Sequence, residues 1–233
     1  MMQRPNHYYG KVPDEIGVFD LEFEEYMHYM YLPIYINESG FDLEYQYHVP
    51  PRLSFAQDLI NAAFRAEEDR NSDWKYVYVT ARRGYATPGN PLNRPGWHAD
   101  GFGTDDINYV WTDRYPTLYA VGEFEGISDD HVRSTEQFEG QIALASLYPP
   151  ELQRVRVQSY PDKTLLRLDD SVIHRAPDIP APGGERSFFK VSFSDDRYNL
   201  KGNSHNYGLS YDWTLFDREQ VRNDPARAGK DSA

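Results

Sequence analysis

Thr164-Leu165-Leu166-Arg167-Leu168-Asp169-Asp170-Ser171-Val172-Ile173-His174-Arg175-Ala176-Pro177 reads as two short strands around a turn. An apolar run at 164–168 meets an Asp-Asp-Ser turn, and a β-branched strand then ends on a histidine. That histidine is set at a sheet edge. Twelve residues further on, Arg186 opens the run Arg186-Ser187-Phe188-Phe189-Lys190-Val191-Ser192-Phe193. Side chains on a strand alternate, so Arg186, Phe188, Lys190 and Ser192 share one face. Upstream stands Trp97-His98-Ala99-Asp100. By the same alternation His98 and Asp100 project to one side, an imidazole beside a carboxylate.

The rest of the chain supplies further strands. Trp74 to Ala81, Ile107 to Thr112, Thr117 to Phe124, Val155 to Gln158 and Phe41 to Val49 carry strand patterns. Tyr31 to Ile36 reads as strand too, with Pro33 favouring a sheet edge. Helices are predicted over Glu22 to Met30, over Ser54 to Arg70 with Ser54 as N-cap, and over Ser134 to Leu147. The segment from Arg82 to Pro95 reads as a long loop. Sixteen prolines and sixteen glycines fit a turn-rich chain. The expected architecture is mainly β with flanking helices, a double-sheet jelly roll. One domain over residues 1–216, with its jelly-roll core at about 76–194, precedes a polar tail at 217–233.

Composition narrows the function. The 233-residue chain is 39% hydrophobic and 15% aromatic, enough to bury a core. A net charge of −13 disfavours tight binding to duplex nucleic acid, which needs clustered Lys and Arg. The absence of cysteine excludes disulfides, iron–sulfur clusters and thiol catalysis. It fits a cytoplasmic protein. No run of about 18 apolar residues exists, so no membrane helix is expected.

Two histidines and one carboxylate on one face form the ligand set of ferrous oxygenases, with open positions for other ligands. With a distal His174 and a basic residue a dozen positions beyond it, His98-x-Asp100 resembles the 2-oxoglutarate/Fe(II)-dependent oxygenase superfamily over roughly residues 76–194. The chain is similar to uncharacterised members from bacteriophages. The resemblance implies a double-stranded β-helix (jelly-roll) core, with His98, Asp100 and His174 holding Fe(II) as the catalytic centre. It implies 2-oxoglutarate and dioxygen as co-substrates, and succinate and CO2 as products alongside a hydroxylated substrate of unknown identity. Arg186 would bind the distal carboxylate of 2-oxoglutarate, since a guanidinium pairs with a carboxylate through two parallel hydrogen bonds. Ser192 or Tyr78 would add a hydroxyl. The chain departs from the family where Ser187 directly follows Arg186, and Lys190, on the same face, is the alternative cation. Arg175 adjoins the ligand and is expected to point away.

Two other classes compete. A cupin-like jelly-roll enzyme would use a metal without 2-oxoglutarate, although cupins commonly carry His-x-His. A non-catalytic jelly-roll binding protein would need no such residues. Arg82, Arg83 and Arg94 read as a solvated loop, the alternative being contacts to an anionic substrate. Trp97 reads as a pocket wall, and Asp105-Asp106 and Asp129-Asp130 as surface turns.

Overall fold

A computed structural model describes residues 8–38, 47–102 and 104–218. The strands are β1 (Asp14–Val18), β2 (Met27–Ile36), β3 (Tyr76–Ala86), β4 (His98–Ala99), β5 (Ile107–Thr112), β6 (Leu118–Gly122), β7 (Val155–Ser159), β8 (Thr164–Leu168), β9 (Ile173–Arg175) and β10 (Gly184–Ser194). Two α-helices, α1 (Gln57–Glu68) and α2 (His131–Ala145), join them. The strands form two antiparallel sheets, a larger one ordered β1-β8-β5-β10-β3-β2 and a smaller one ordered β4-β9-β6-β7. The architecture is mainly β, two sheets and two helices, consistent with a β-sandwich.

Side-chain alternation sorts the layers. On the larger sheet, Val77, Val79, Tyr109, Trp111, Phe189, Val191 and Phe193 face α1, meeting Leu59, Ile60, Ala63 and Phe64 in one cluster. On the smaller sheet, Ala99, Ala120, Val155 and Ile173 pack against Phe138, Ile142 and Ala145 of α2. Between the sheets, Val110, Leu166, Leu168 and Phe188 meet Tyr119 and Val172. Polar residues of β10 therefore lie on the inner face, while its phenylalanines at 189 and 193 anchor the helix side. Truncating a buried aromatic such as Phe193 removes about 3–5 kcal/mol.

One polar knot joins α1 to the sheet. Glu67 is buried, and its carboxylate accepts from Tyr109 Oη at 2.6 Å, Arg167 Nε at 2.7 Å and Trp74 Nε1 at 3.1 Å. Burial alone would raise the Glu67 pKa, but these donors outweigh it and hold it below the ordinary value.

Several elements differ from expectation. The segment predicted as helix at 22–30 is irregular to Tyr26 and strand from Met27, because β3 offers an open edge that pairs His28 with Arg82 and Tyr29 with Ala81. Pro33 lies on this edge strand, as expected. Ser54 does not cap a helix. Pro51 opens a 3-10 turn at Pro51–Ala56, its fixed φ suiting a helical start, and α1 begins only at Gln57. Helix α2 starts earlier than predicted, because Asp130 is its N-cap and accepts from Val132 N at 3.0 Å and Arg133 N at 2.9 Å. The loop before His98 is shorter than predicted, since β3 runs through Arg82 and Arg83 to Ala86. Of the strand expected at 41–49, residues 41–46 lie outside the described residues, as do 219–233 of the expected tail. Among the described residues no helix is long and apolar enough to cross a membrane.

Candidate metal centre

His98 and His174 face each other across the antiparallel pair β4–β9, and Tyr119 of β6 stands opposite His174 on its other side. Directly opposed residues project from one face, so all three point between the sheets. Two short strands thus set two imidazoles with ring centroids 4.6 Å apart. Asp100 follows β4 by one residue. His98 Nε2 lies 3.7 Å and His174 Nε2 3.9 Å from the same Asp100 oxygen, Oδ1. One ligand atom from each residue fits within a 4.8 Å span.

The backbone sets the tautomers. His98 Nδ1 lies 2.8 Å from Gly96 O, and His174 Nδ1 lies 3.2 Å from Val172 O. A carbonyl can only accept, so Nδ1 carries the proton in each ring and Nε2 presents its lone pair towards Asp100. Burial, helped by His174, pushes His98 down to about 3, and burial lowers His174 as well. Both rings are neutral near pH 7, the form that binds metal. Burial alone would raise Asp100. The Lys190 ammonium and the two histidines outweigh it and hold the carboxylate well below its usual range. Two neutral nitrogen donors and one carboxylate fit a divalent first-row cation.

Lys190 is the residue whose place differs most from expectation. Its Nζ donates to Asp100 Oδ2 at 2.9 Å, leaving Oδ1 to the histidines. Tyr31 covers it, with Nζ 5.1 Å from the ring centroid. A bulge in β2 and a positive φ of 46° at Tyr31 aim that ring inward.

Arg186 is 1% exposed. Its Nε donates to Tyr115 O at 3.1 Å, and its Nη1 donates to Pro91 O at 3.1 Å and to Asn93 Oδ1. Its Nη2 is buried without a hydrogen-bond partner, and so is the Tyr119 hydroxyl. Burial pushes Arg186 down to about 10 against the pull of Asp113 and Tyr119. Among the described residues no carboxylate comes within ion-pair distance of it.

The other two predicted anchors are engaged elsewhere. Ser192 Oγ donates to Asn108 Oδ1 at 2.6 Å. Tyr78 Oη donates to Asp196 O at 3.0 Å and accepts from Tyr198 N at 3.0 Å. Neither lines the cavity that opens beside the metal ligands. Arg175 points away, as alternation predicts, pairing with Asp178 at 2.7 Å and lying 5.2 Å over Trp97. Trp97 itself is buried in the core beneath α2 and not on the cavity wall.

The cavity has a volume of about 690 Å³, and His98, Asp100, His174 and Lys190 form part of its wall. Small-molecule sites commonly fall in this range. Sequence reasoning did not single out Tyr119 and Asn93. Asp106, expected in a surface turn, is buried and accepts from Ser194 Oγ at 2.6 Å and from Tyr198 Oη. Alternation in β6 could have found Tyr119. Nothing local marks Asn93, which reaches Arg186 from a loop.

No protein-family model matches the chain, and no curated protein matches it in sequence. Among solved structures, a 2OG-Fe(II) oxygenase family oxidoreductase from Burkholderia pseudomallei aligns over 70% of this chain and 65% of that one, at 11% identity and a TM-score of 0.35. The aligned part is thus just under two thirds of that protein's chain. A likeness this low defines neither fold nor activity, and it says nothing of a bacteriophage origin.

Proposed function

We propose that the chain is an Fe(II)-dependent oxygenase that consumes 2-oxoglutarate and dioxygen. The observation that carries the reading is the convergence of His98 Nε2, His174 Nε2 and Asp100 Oδ1 on one point of the cavity wall. Three protein ligands on one side leave the cavity side for further ligands. Iron bound there would supply the redox chemistry by which a 2-oxoacid and dioxygen become succinate and CO2, one oxygen atom entering succinate and the other the substrate.

The protein's own part is binding and orientation. Gly96 O and Val172 O fix the imidazole rings, and Lys190 fixes the carboxylate. Arg186 is a buried cation without an acidic partner, an arrangement costly until a carboxylate arrives. Its Nη2 would supply a donor for the distal carboxylate of 2-oxoglutarate, with the neighbouring Tyr119 hydroxyl, beside Thr117, as a second. Arg186 stands behind the cavity wall, bonded to the wall residue Asn93; we assign that role to it ahead of Lys190, whose ammonium is committed to Asp100, and ahead of Ser192 and Tyr78, whose hydroxyls already have partners.

A jelly-roll core over about 76–194 belongs to the same reading. Its support is the winding of the chain. From β3 to β6 successive strands alternate between the larger and smaller sheets, β7 stays in the smaller, and β8 to β10 alternate again. A cupin-like enzyme would share the metal ligands but not need the buried Arg186. Incubation with Fe(II), ascorbate and 2-oxoglutarate under air tests the proposal, read as succinate by mass spectrometry. Succinate that requires both Fe(II) and His174 supports it. Metal binding with no 2-oxoglutarate consumed in the presence of a candidate-substrate library favours the cupin-like reading.

A further inference from the structure

The chain carries a net charge of −13, yet its cavity does not share that sign. The charged wall residues are Arg82, Arg94, Lys190 and Arg218 against Asp100 and Asp106. Both acids are already satisfied. Asp100 is paired with Lys190 at 2.9 Å, and Asp106 accepts from Ser194 and Tyr198. Among the described residues, Arg82 and Arg218 hydrogen-bond to neutral groups. Arg82 Nη1 donates to Leu92 O, and Arg218 Nη2 to Asn203 Oδ1. Neither has a carboxylate partner among the described residues. His131 adds a buried Nε2 without a partner on the same wall.

These groups come from separate parts of the chain. Arg82 lies on β3, opposite Phe188 of β10 and on the inner face. His131 opens α2. Arg218 is held near Asn203 by the C-terminal segment, where Phe216 N donates to Asn199 O at 2.9 Å and Lys201 pairs with Asp217 at 2.7 Å. Partly buried cations facing a cavity are costly without an anion. On a strongly acidic protein such a cavity also draws anions in by its local field. Burial lowers the Arg82 pKa, which fits a cation that lacks an acidic neighbour.

We propose that the molecule oxidised in this cavity is a small anion, whose phosphate or carboxylate group is held by Arg82 and Arg218 with His131 as a further contact. The inference rests on the reading that the metal ligands and Arg186 take Fe(II) and 2-oxoglutarate, because it assigns the remaining cations to the second substrate. Guanidinium groups bind either oxyanion through paired hydrogen bonds. The sequence alone favoured a solvated loop for Arg82 and Arg94. The structure instead turns both onto the cavity wall, while Arg83 faces away and pairs with Glu185 at 2.7 Å.

The test is calorimetric titration of the full chain, free of metal and of 2-oxoglutarate, with inorganic pyrophosphate and separately with citrate. Wild-type protein binds at least one probe. Pyrophosphate alone assigns a phosphorylated substrate, and citrate alone a carboxylated one. R82Q/R218Q weakens that binding about tenfold or more, as expected for losing charge-assisted hydrogen bonds, and does so equally in an R186M background, which removes any carboxylate held at the 2-oxoglutarate anchor. Should R82Q/R218Q lose its circular dichroism signal, R218Q alone, at the end of the described chain, carries the test with a weakening of about threefold. No binding of either probe, or binding untouched by these substitutions, overturns the proposal. Because neither iron nor 2-oxoglutarate is present, these outcomes are independent of the succinate assay, and the two readings fail separately.

Discussion

Buried Lys190 and half-buried Asp100 form an ion pair, Nζ to Oδ2 at 2.9 Å, that divides the carboxylate between a protein cation and the two histidines. Oδ2 is bound to lysine on β10, while Oδ1 faces both imidazole nitrogens from β4 and β9. The pair ties the larger sheet to the smaller one at the centre of the site. It also keeps Asp100 ionised in the absence of a metal.

Lys190→Met in the metal-free protein leaves a half-buried carboxylate without its cation and costs up to about 3 kcal/mol, the lower end of what breaking a fully buried pair costs. For a chain of this size that is roughly 6–12 °C in Tm. A bound divalent cation takes over part of the lysine's charge, so saturating Zn(II) should narrow the gap to wild type by half or more. Thermal denaturation with and without Zn(II) checks this. An equal gap under both conditions would mean that Lys190 acts independently of the metal site.

With the proposed ligand set, Asp100→Ala removes the anionic ligand and should abolish Fe(II) binding and turnover. It also leaves Lys190 buried and unpaired. The double variant Asp100→Ala/Lys190→Met should therefore be less destabilised than the two single losses added together, with a coupling of about 1–3 kcal/mol. Additive losses in denaturant titrations would show that the ion pair carries no coupling.

Arg186→Met should raise the dissociation constant for 2-oxoglutarate by about 10–150-fold, the worth of roughly 1.5–3 kcal/mol of charged hydrogen bonding. Fe(II) affinity should stay close to wild type. Tyr119→Phe should show a smaller effect of the same kind. An unchanged 2-oxoglutarate affinity in Arg186→Met transfers the anchoring role to Lys190.

The Glu67 knot predicts an acid-dependent stability. Its pKa is depressed in the folded state, so the stabilisation it gives is fully present above the unfolded value of 4.5 and is lost as pH falls through the folded one. Glu67→Gln should accordingly be less stable than wild type at pH 7, by about 3 kcal/mol for a broken buried pair. The difference should shrink as pH falls below 4.5. Urea denaturation at several pH values measures it, and a difference that grows on acidification contradicts the assignment.

Much of this was legible in the sequence where periodicity and chemistry coincide. Ile107–Thr112, a β-branched and aromatic run, and Thr164–Leu168, a short apolar run between Pro161-Asp162 and Asp169-Asp170, read correctly to the residue. Alternation predicts His98 and Asp100 on one side; the structure does bring them together, but through the turn that follows Ala99. The sequence could not reveal which partner each cation takes, since Lys190–Asp100 joins residues 90 apart. The start of β2 was misread because an exposed β3 edge, not local propensity, decides it. Asp106 was misread because its burial depends on Tyr198 and Ser194, distant in sequence. The sign of the cavity wall was hidden for the same reason, since Arg82 and Arg218 reach one cavity only through the fold.

An anaerobic equilibrium titration of Fe(II) and 2-oxoglutarate into wild-type protein and His174→Ala tests the metal centre itself. Wild type should bind one Fe(II), and its affinity for 2-oxoglutarate should rise at least about tenfold once the metal is bound. His174→Ala should lose both the metal and that enhancement. Fe(II) bound equally well by His174→Ala, or 2-oxoglutarate affinity indifferent to the metal, would contradict the account.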